Sequence, residues 1–272
     1  MIDSSKNITF WGVDIVSNYL RLVKNYNVKA FFIITILSIL MIMPQVYYHS
    51  IILGYDSLFH FNRFYDTAMQ IKTGHYSYFM TLFGFNQSGR IVNALYGPVI
   101  AYINGYLLLI AGSWFKYQVF SGIILNIIAG YGFYKLSIKA GVANNIGLIL
   151  SMAYINTYWI TSWSNSQQFG AFGAALMPYV VLQGLSMIDK RNPDIKTIPL
   201  ALSMAIMIQT HVLSAIFSVL VLIPFAIYGI YLTSHKARFL LHGILSVVLV
   251  LILTGNVWYT MLDLYHNNRL LS

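Results

Sequence analysis

The chain contains no cysteine and no glutamate, and only 8% of its residues are charged. The missing thiols exclude a disulfide framework, a thiolate metal site and cysteine-based nucleophilic catalysis. The missing glutamates leave every side-chain carboxylate to aspartate, so chemistry that needs one has few residues to draw on. The scarcity of charge excludes most. A soluble domain carries about a quarter charged residues and about half apolar ones, whereas 58% of these 272 residues are hydrophobic. A soluble core could not bury that excess.

The charges that remain are clustered, leaving uncharged stretches at 30–48, 91–115, 117–134, 140–188, 197–234 and 239–262. A membrane span needs about 20 apolar residues, so the pattern predicts an all-α, polytopic transmembrane bundle. The excess of 16 Lys+Arg over 7 acidic residues sits in short clusters between apolar runs, as in loops facing the cytoplasm rather than in a nucleic-acid interface. The expected environment is the lipid bilayer, with no nucleic-acid partner.

Ahead of the first span, Ile8, Trp11, Ile15, Tyr19 and Leu22 recur at helical spacing opposite Asp14, Ser17, Asn18, Arg21 and Lys24. Residues 1–29 therefore read as a cytoplasmic segment with an amphipathic helix on the membrane surface. The first apolar run has no small-residue cleavage pattern after it, so it reads as a retained helix and not a signal peptide. Residues 30–272 read as one transmembrane domain with a long outer loop at 50–116. Spans are expected near 30–48, 117–136, 146–163, 171–188, 197–212, 213–232 and 239–259, about seven in all. The uncharged run at 197–232 is too long for one span, and a hairpin turning near His211 divides it.

The segment 94–112 is long enough to cross but carries Pro98, Asn104 and Gly105. If it does not cross and the N-terminus is cytoplasmic, 11 cations lie inside and 5 outside. If it crosses with the same N-terminus the counts are 6 and 10, against the positive-inside rule; crossing with the N-terminus outside gives 10 and 6. The four cations ahead of the first span favour the first arrangement, in a multi-pass protein of the cell membrane with a cytoplasmic N-terminus. Residues 94–112 are then a re-entrant or interfacial element on the outer face.

In that arrangement only Asp56, Asp66 and Asp263 are carboxylates of the outer face. Within Gly54-Tyr55-Asp56-Ser57-Leu58-Phe59-His60-Phe61-Asn62-Arg63, the residues Asp56, His60 and Arg63 stand at i, i+4 and i+7, one stripe of a helix. Alternatively, Asp56 is an N-cap accepting the first free amides, with His60 and Arg63 as ordinary interfacial residues.

The order Asp-x3-His-x2-Arg, the turn Gly74-His75-Tyr76 and then Asn93-Ala94-Leu95-Tyr96-Gly97-Pro98 resembles the first outer loop of the glycosyltransferase C superfamily. It is similar in particular to a bacterial membrane branch labelled as related to 6-pyruvoyl-tetrahydropterin synthase, a label that implies no pterin chemistry. The similarity continues through 169–178, from Phe169 to Pro178, and through Gln209-Thr210-His211-Val212-Leu213-Ser214. Family members often carry an acidic residue where this chain has Gly170-Ala171 or Gly173-Ala174, and they run on with further spans. By that measure the chain reads as an N-terminal half, a degenerate protein or one part of a split system.

The resemblance implies transfer of a sugar from a polyprenyl-phosphate donor to a cell-envelope glycan on the outer face. Asp56 is then the general base, or with His60 a ligand of a divalent metal ion near the acceptor hydroxyl. The leaving phosphate calls for cations on the same face, for which Arg63, Arg90 and Lys116 are available; each also fits a snorkelling interface residue. His211 lies in an apolar hairpin, where a polar group suggests substrate binding or is satisfied by water or a carbonyl. Trp163 and Gln168 belong to an outer-end cluster that suits sugar binding or an aromatic belt. Two other readings stay open: a non-catalytic transporter or flippase of lipid-linked glycans, for which internal repeats would speak and none is seen, and a degenerate scaffold holding a second membrane subunit.

Overall fold

The computed structural model describes residues 6–267, and side chains from Tyr26 to His266. Among the described residues there are eleven α-helices and no β-strand: α1 Lys6–Tyr48, α2 Ser57–Thr73, α3 Pro98–Ala111, α4 Trp114–Lys139, α5 Asn144–Ile155, α6 Tyr158–Ser166, α7 Gly170–Met187, α8 Thr197–Thr210, α9 Val212–Leu232, α10 Lys236–Leu253 and α11 Gly255–Asn267. The all-helical class expected from the sequence is present. The amphipathic face of Ile8 to Leu22 lies outside the described side chains, and α1 passes position 29 without a break.

Five helices are long and apolar enough to cross a bilayer: residues 26–48 of α1, then α4, α7, α9 and α10. Their surfaces argue the same way. On α10, Leu240, Leu241, Ile244, Val247, Leu251 and Ile252 are all exposed, and α9 exposes Leu213, Ile216, Phe217, Leu220 and Ile227. Water would not tolerate such continuous apolar faces; lipid tails would. The protein is a multi-pass membrane protein.

Two of the expected runs are interrupted, and α8, at Thr197–Thr210, is a shorter apolar helix. The run 146–163 divides into α5 and α6 at Asn156 and Thr157. There Asn156 Nδ2 donates to the Met152 carbonyl and Thr157 Oγ1 to the Tyr154 carbonyl, each at 2.8 Å. Side chains that bond the carbonyls of the last turn compete with helix propagation. The run 239–259 divides at Thr254, whose hydroxyl donates to the Val250 carbonyl and accepts from the Trp258 indole. The run 197–232 turns at His211, as expected from its length.

α4 is the hub, packed against α1, α5 and α7, while α8 joins α7 to α10. Two ends can be told apart. One gathers Lys139 on Asp189 and Arg238 on Asp194, with the Thr197 hydroxyl on the His242 carbonyl. The other gathers Gln118 on the Ile52 backbone, Trp163 on Ser121, and Gln209 on Asn256. α2 and α3 cap this second end side by side. Thr67 of α2 donates to the Ala101 carbonyl of α3, and Tyr102 of α3 to Gln70 of α2. Both ends of α3 stay at this level, Gly97 against Gln209 and Trp114 stacked on Phe61, so α3 lies along the cap.

Candidate functional site

The cap begins with a turn in which Ser57 N donates to the Gly54 carbonyl and Ser57 Oγ accepts from Gly54 N. Asp56 lies within this turn at the N-cap of α2, yet its side chain makes no capping hydrogen bond and the residue is exposed. The stripe one and two turns on runs inward: His60 is 1% exposed and Arg63 is wholly buried.

Arg63 staples α2 to the turn at 93–97. Its Nε donates to Asn93 Oδ1 at 3.1 Å, its Nη2 to the carbonyls of Tyr96 and Gly97, and its Nη1 to His60 Nδ1 at 3.1 Å. The guanidinium also lies 4.7 Å from the centre of the Tyr96 ring. No carboxylate pairs with it among the described residues. Burial pulls its pKa down to about 10, so it stays charged at neutral pH, neutralised by carbonyl dipoles. His60 in turn is pressed on Phe169, ring centres 4.3 Å apart. Burial first, then Arg63 and His211 nearby, push its pKa down to about 3. Arginine can only donate, so His60 Nδ1 is bare and the proton of the neutral ring sits on Nε2.

His211 reaches the same place from the α8–α9 turn. Its Nδ1 accepts from Ser214 N at 3.3 Å and faces Ser214 Oγ at 2.7 Å, which again leaves Nε2 as the N–H of a neutral ring. It lines a cavity of about 290 Å³ with Tyr96, Gly97, Thr210 and Met261. Asp56 lies close enough to this wall to act on the Tyr96 phenol, whose pKa is raised by burial against the pull of Arg63, with Asp56 adding to the rise. Two glycines let the walls meet. Gly97 has φ +72°, and a Cβ there would lie 2.0 Å from the Gln209 carbonyl oxygen. At Gly173 a Cβ would lie 2.0 Å from Ser214 Oγ and 3.4 Å from His211 Nδ1, so an acidic side chain at this position has no room.

The structure thus brings together His60, Arg63 and His211, with Asp56 exposed one turn before His60 and near enough to act on Tyr96. Trp163 and Gln168 back the site: the indole is buried, donates to Ser121 and meets Phe169 edge-on at 6.1 Å, and Gln168 lies beside Phe169 within reach of the Tyr158 hydroxyl. Arg90 and Lys116 are exposed and apart from this cluster, Arg90 over the Phe85 ring and Lys116 in the first turn of α4. A divalent ion between Asp56 and His60 does not fit these residues. Arg63 holds His60 Nδ1, its guanidinium would repel the ion, and no three His, Cys, Asp or Glu converge among the described residues.

Asp66 carries a role not read from the sequence. Its Oδ1 accepts from the backbone amides of Leu82, Phe83 and Gly84 at 2.7–3.1 Å, and its Oδ2 from Gln70. Asn62, one turn earlier, accepts from Phe85 N. Together they hold a turn in which Phe85, Asn86 and Gln87 all have positive φ. Asn62 and Asp66 at i and i+4 were the available signal; their partners were not.

No protein-family model, curated protein or solved structure matches this chain.

Proposed function

We propose that this protein is a membrane glycosyltransferase that moves a sugar from a polyprenyl-phosphate donor to a cell-envelope glycan at the capped end of the bundle. The observation that carries the reading is Asp56: an exposed, uncapped carboxylate close enough to act on the Tyr96 phenol, which lines a cavity with His211 and packs on the buried Arg63. In this reading Asp56 takes the proton of the acceptor hydroxyl as that oxygen attacks the anomeric carbon. The bond from that carbon to the donor phosphate breaks, and the polyprenyl phosphate leaves with the electron pair. His211 offers its Nε2–H to a phosphate oxygen, Arg63 adds a fixed positive potential from below, and Arg90 and Lys116 attract the donor from the exposed surface.

The topology that goes with it has seven passes: α1, α4, α5 with α6, α7, α8, α9 and α10. The end bearing Lys29, Lys135, Lys139, Lys190, Arg191, Lys196, Lys236 and Arg238 faces the cytoplasm, as does the N-terminus, and the cap faces outward from the cell membrane. A second membrane subunit would complete the assembly if activity needs further spans.

Asp56→Asn tests the chemistry. A general base contributes about 10²- to 10⁴-fold to rate, so the variant, folded and membrane-inserted, should lose product on that scale with a polyprenyl-phosphate sugar. Unchanged turnover would remove Asp56 from the mechanism and favour a non-catalytic carrier of lipid-linked glycans, which uses the same surface without a base.

A further inference from the structure

A cavity of about 1100 Å³ opens at the basic end of the bundle, between α1, α4, α7 and α8. Four cations line it and no carboxylate does: Lys135 and Lys139 from the last turns of α4, Arg191 from the loop after α7, and Lys196 at the N-cap of α8. The aspartates described at this end are already paired, one of them to a cation of this wall. Asp189 holds Lys139 at 2.7 Å, and Asp194 holds Arg238 and His242 at 3.1 Å each. Lys135, Arg191 and Lys196 border the cavity without a direct ion pair among the described residues, although Asp189 accepts from the Arg191 backbone amide and feels its charge.

The rest of the wall has two characters. Ile138, Val142 and Leu182 are apolar, and Asn144, Gln183 and Ser186 offer neutral hydrogen-bonding groups. Cations gathered around one space repel each other, and an anion between them removes that cost. A free inorganic anion would use the cations but leave the apolar wall wet. A phosphate ester carrying a hydrocarbon chain uses both, and at the cytoplasmic ends of membrane helices such molecules are present in the adjoining leaflet.

We infer that this cavity binds the headgroup of an anionic phospholipid, its phosphate between Lys135, Arg191 and Lys196 and the start of its chain along Ile138 and Leu182. The inference rests on the membrane setting and not on the role of Asp56.

The test uses the full chain in a neutral detergent, titrated with short-chain phosphatidylglycerol. Short-chain phosphatidylcholine and glycerol 3-phosphate are the comparison probes. Binding is read by native mass spectrometry and by the thermal unfolding midpoint. Phosphatidylglycerol should stay bound and raise the midpoint, and the other two should not. Removing one cation near an anionic headgroup costs about fivefold in affinity, so Lys196→Ala should show that loss and Lys135→Ala with Lys196→Ala about 25-fold. Lys236→Ala removes an exposed cation of the same end outside the cavity and should leave binding unchanged. Equal binding of the two lipids, or equal losses in Lys236→Ala and Lys196→Ala, would overturn the site. The full effect from glycerol 3-phosphate alone would assign the cavity to a soluble phosphate ester and overturn the lipid. Should the double variant not fold, as judged by its lipid-free midpoint, Arg191→Ala at an exposed loop position gives the same comparison.

Discussion

Arg63 is a whole charge taken out of water without a counter-ion, and its tolerance depends on shape. Its planar fork meets a ring nitrogen, a side-chain amide oxygen and two carbonyls from three directions. An ammonium cannot span that set. Arg63→Ala should lower stability by at least about 2 kcal/mol, because buried acceptors lose charge-assisted donors, and Arg63→Lys should recover less than half of the loss in a thermal unfolding series. His60, beside it, gives a pH signature. The folded protein holds it neutral down to about pH 3, while the unfolded chain takes up the proton near 6.5. Its stabilising contribution is therefore complete above pH 6.5 and is lost as pH falls from there toward 3, at up to about 1.4 kcal/mol per pH unit. Unfolding midpoints measured from pH 7.5 to 5 should fall, and those of His60→Gln should fall less. The Asp56, His60, Arg63 stripe was legible because helical spacing alone puts these residues on one face. Which of them would be exposed and which would be a buried staple was not, since Asn93, Tyr96 and Phe169, which decide it, come from elsewhere in the chain.

At the scale of elements, α2 acts as a frame for the loop at 78–90. Asp66 gathers three successive amides on one oxygen, and Asn62 takes the next, so a turn with three left-handed residues is held from below. Each such residue costs about 1–2 kcal/mol, which the four hydrogen bonds offset. Asp66→Ala should release the segment 78–90 and expose it to limited proteolysis, whereas Asp66→Asn, which keeps an acceptor in place, should leave most of the protection. Equal cleavage of wild type and Asp66→Ala would show that the turn holds itself. The spans were readable because a bilayer demands long apolar runs. The interruptions at Asn156–Thr157 and Thr254 were not, because the apolar pattern continues through them and only short side chains folded back on carbonyls mark the break.

For the whole molecule, the two ends differ in kind: one is a ring of cations around an open cavity, the other an aromatic cap with a buried arginine. The natural lack of cysteine makes their sidedness directly measurable. His75→Cys, exposed on the cap, should react with a membrane-impermeant maleimide on intact cells, and Ser234→Cys, at the basic end, only after permeabilisation. The reverse pattern would turn the protein over and with it the proposed chemistry. The contact between Gly97 and Gln209 also limits how this protein can move. It sets backbone against backbone, with no side chain between them to rotate aside, and Gln209 is tied onward to Asn256. A movement of α8 toward the Tyr96–Gly97 turn therefore meets main chain at once and presses on the turn that Arg63 holds. Main chain cannot step aside as a rotamer does, so this pair fixes how closely the cap and the end of α8 can approach.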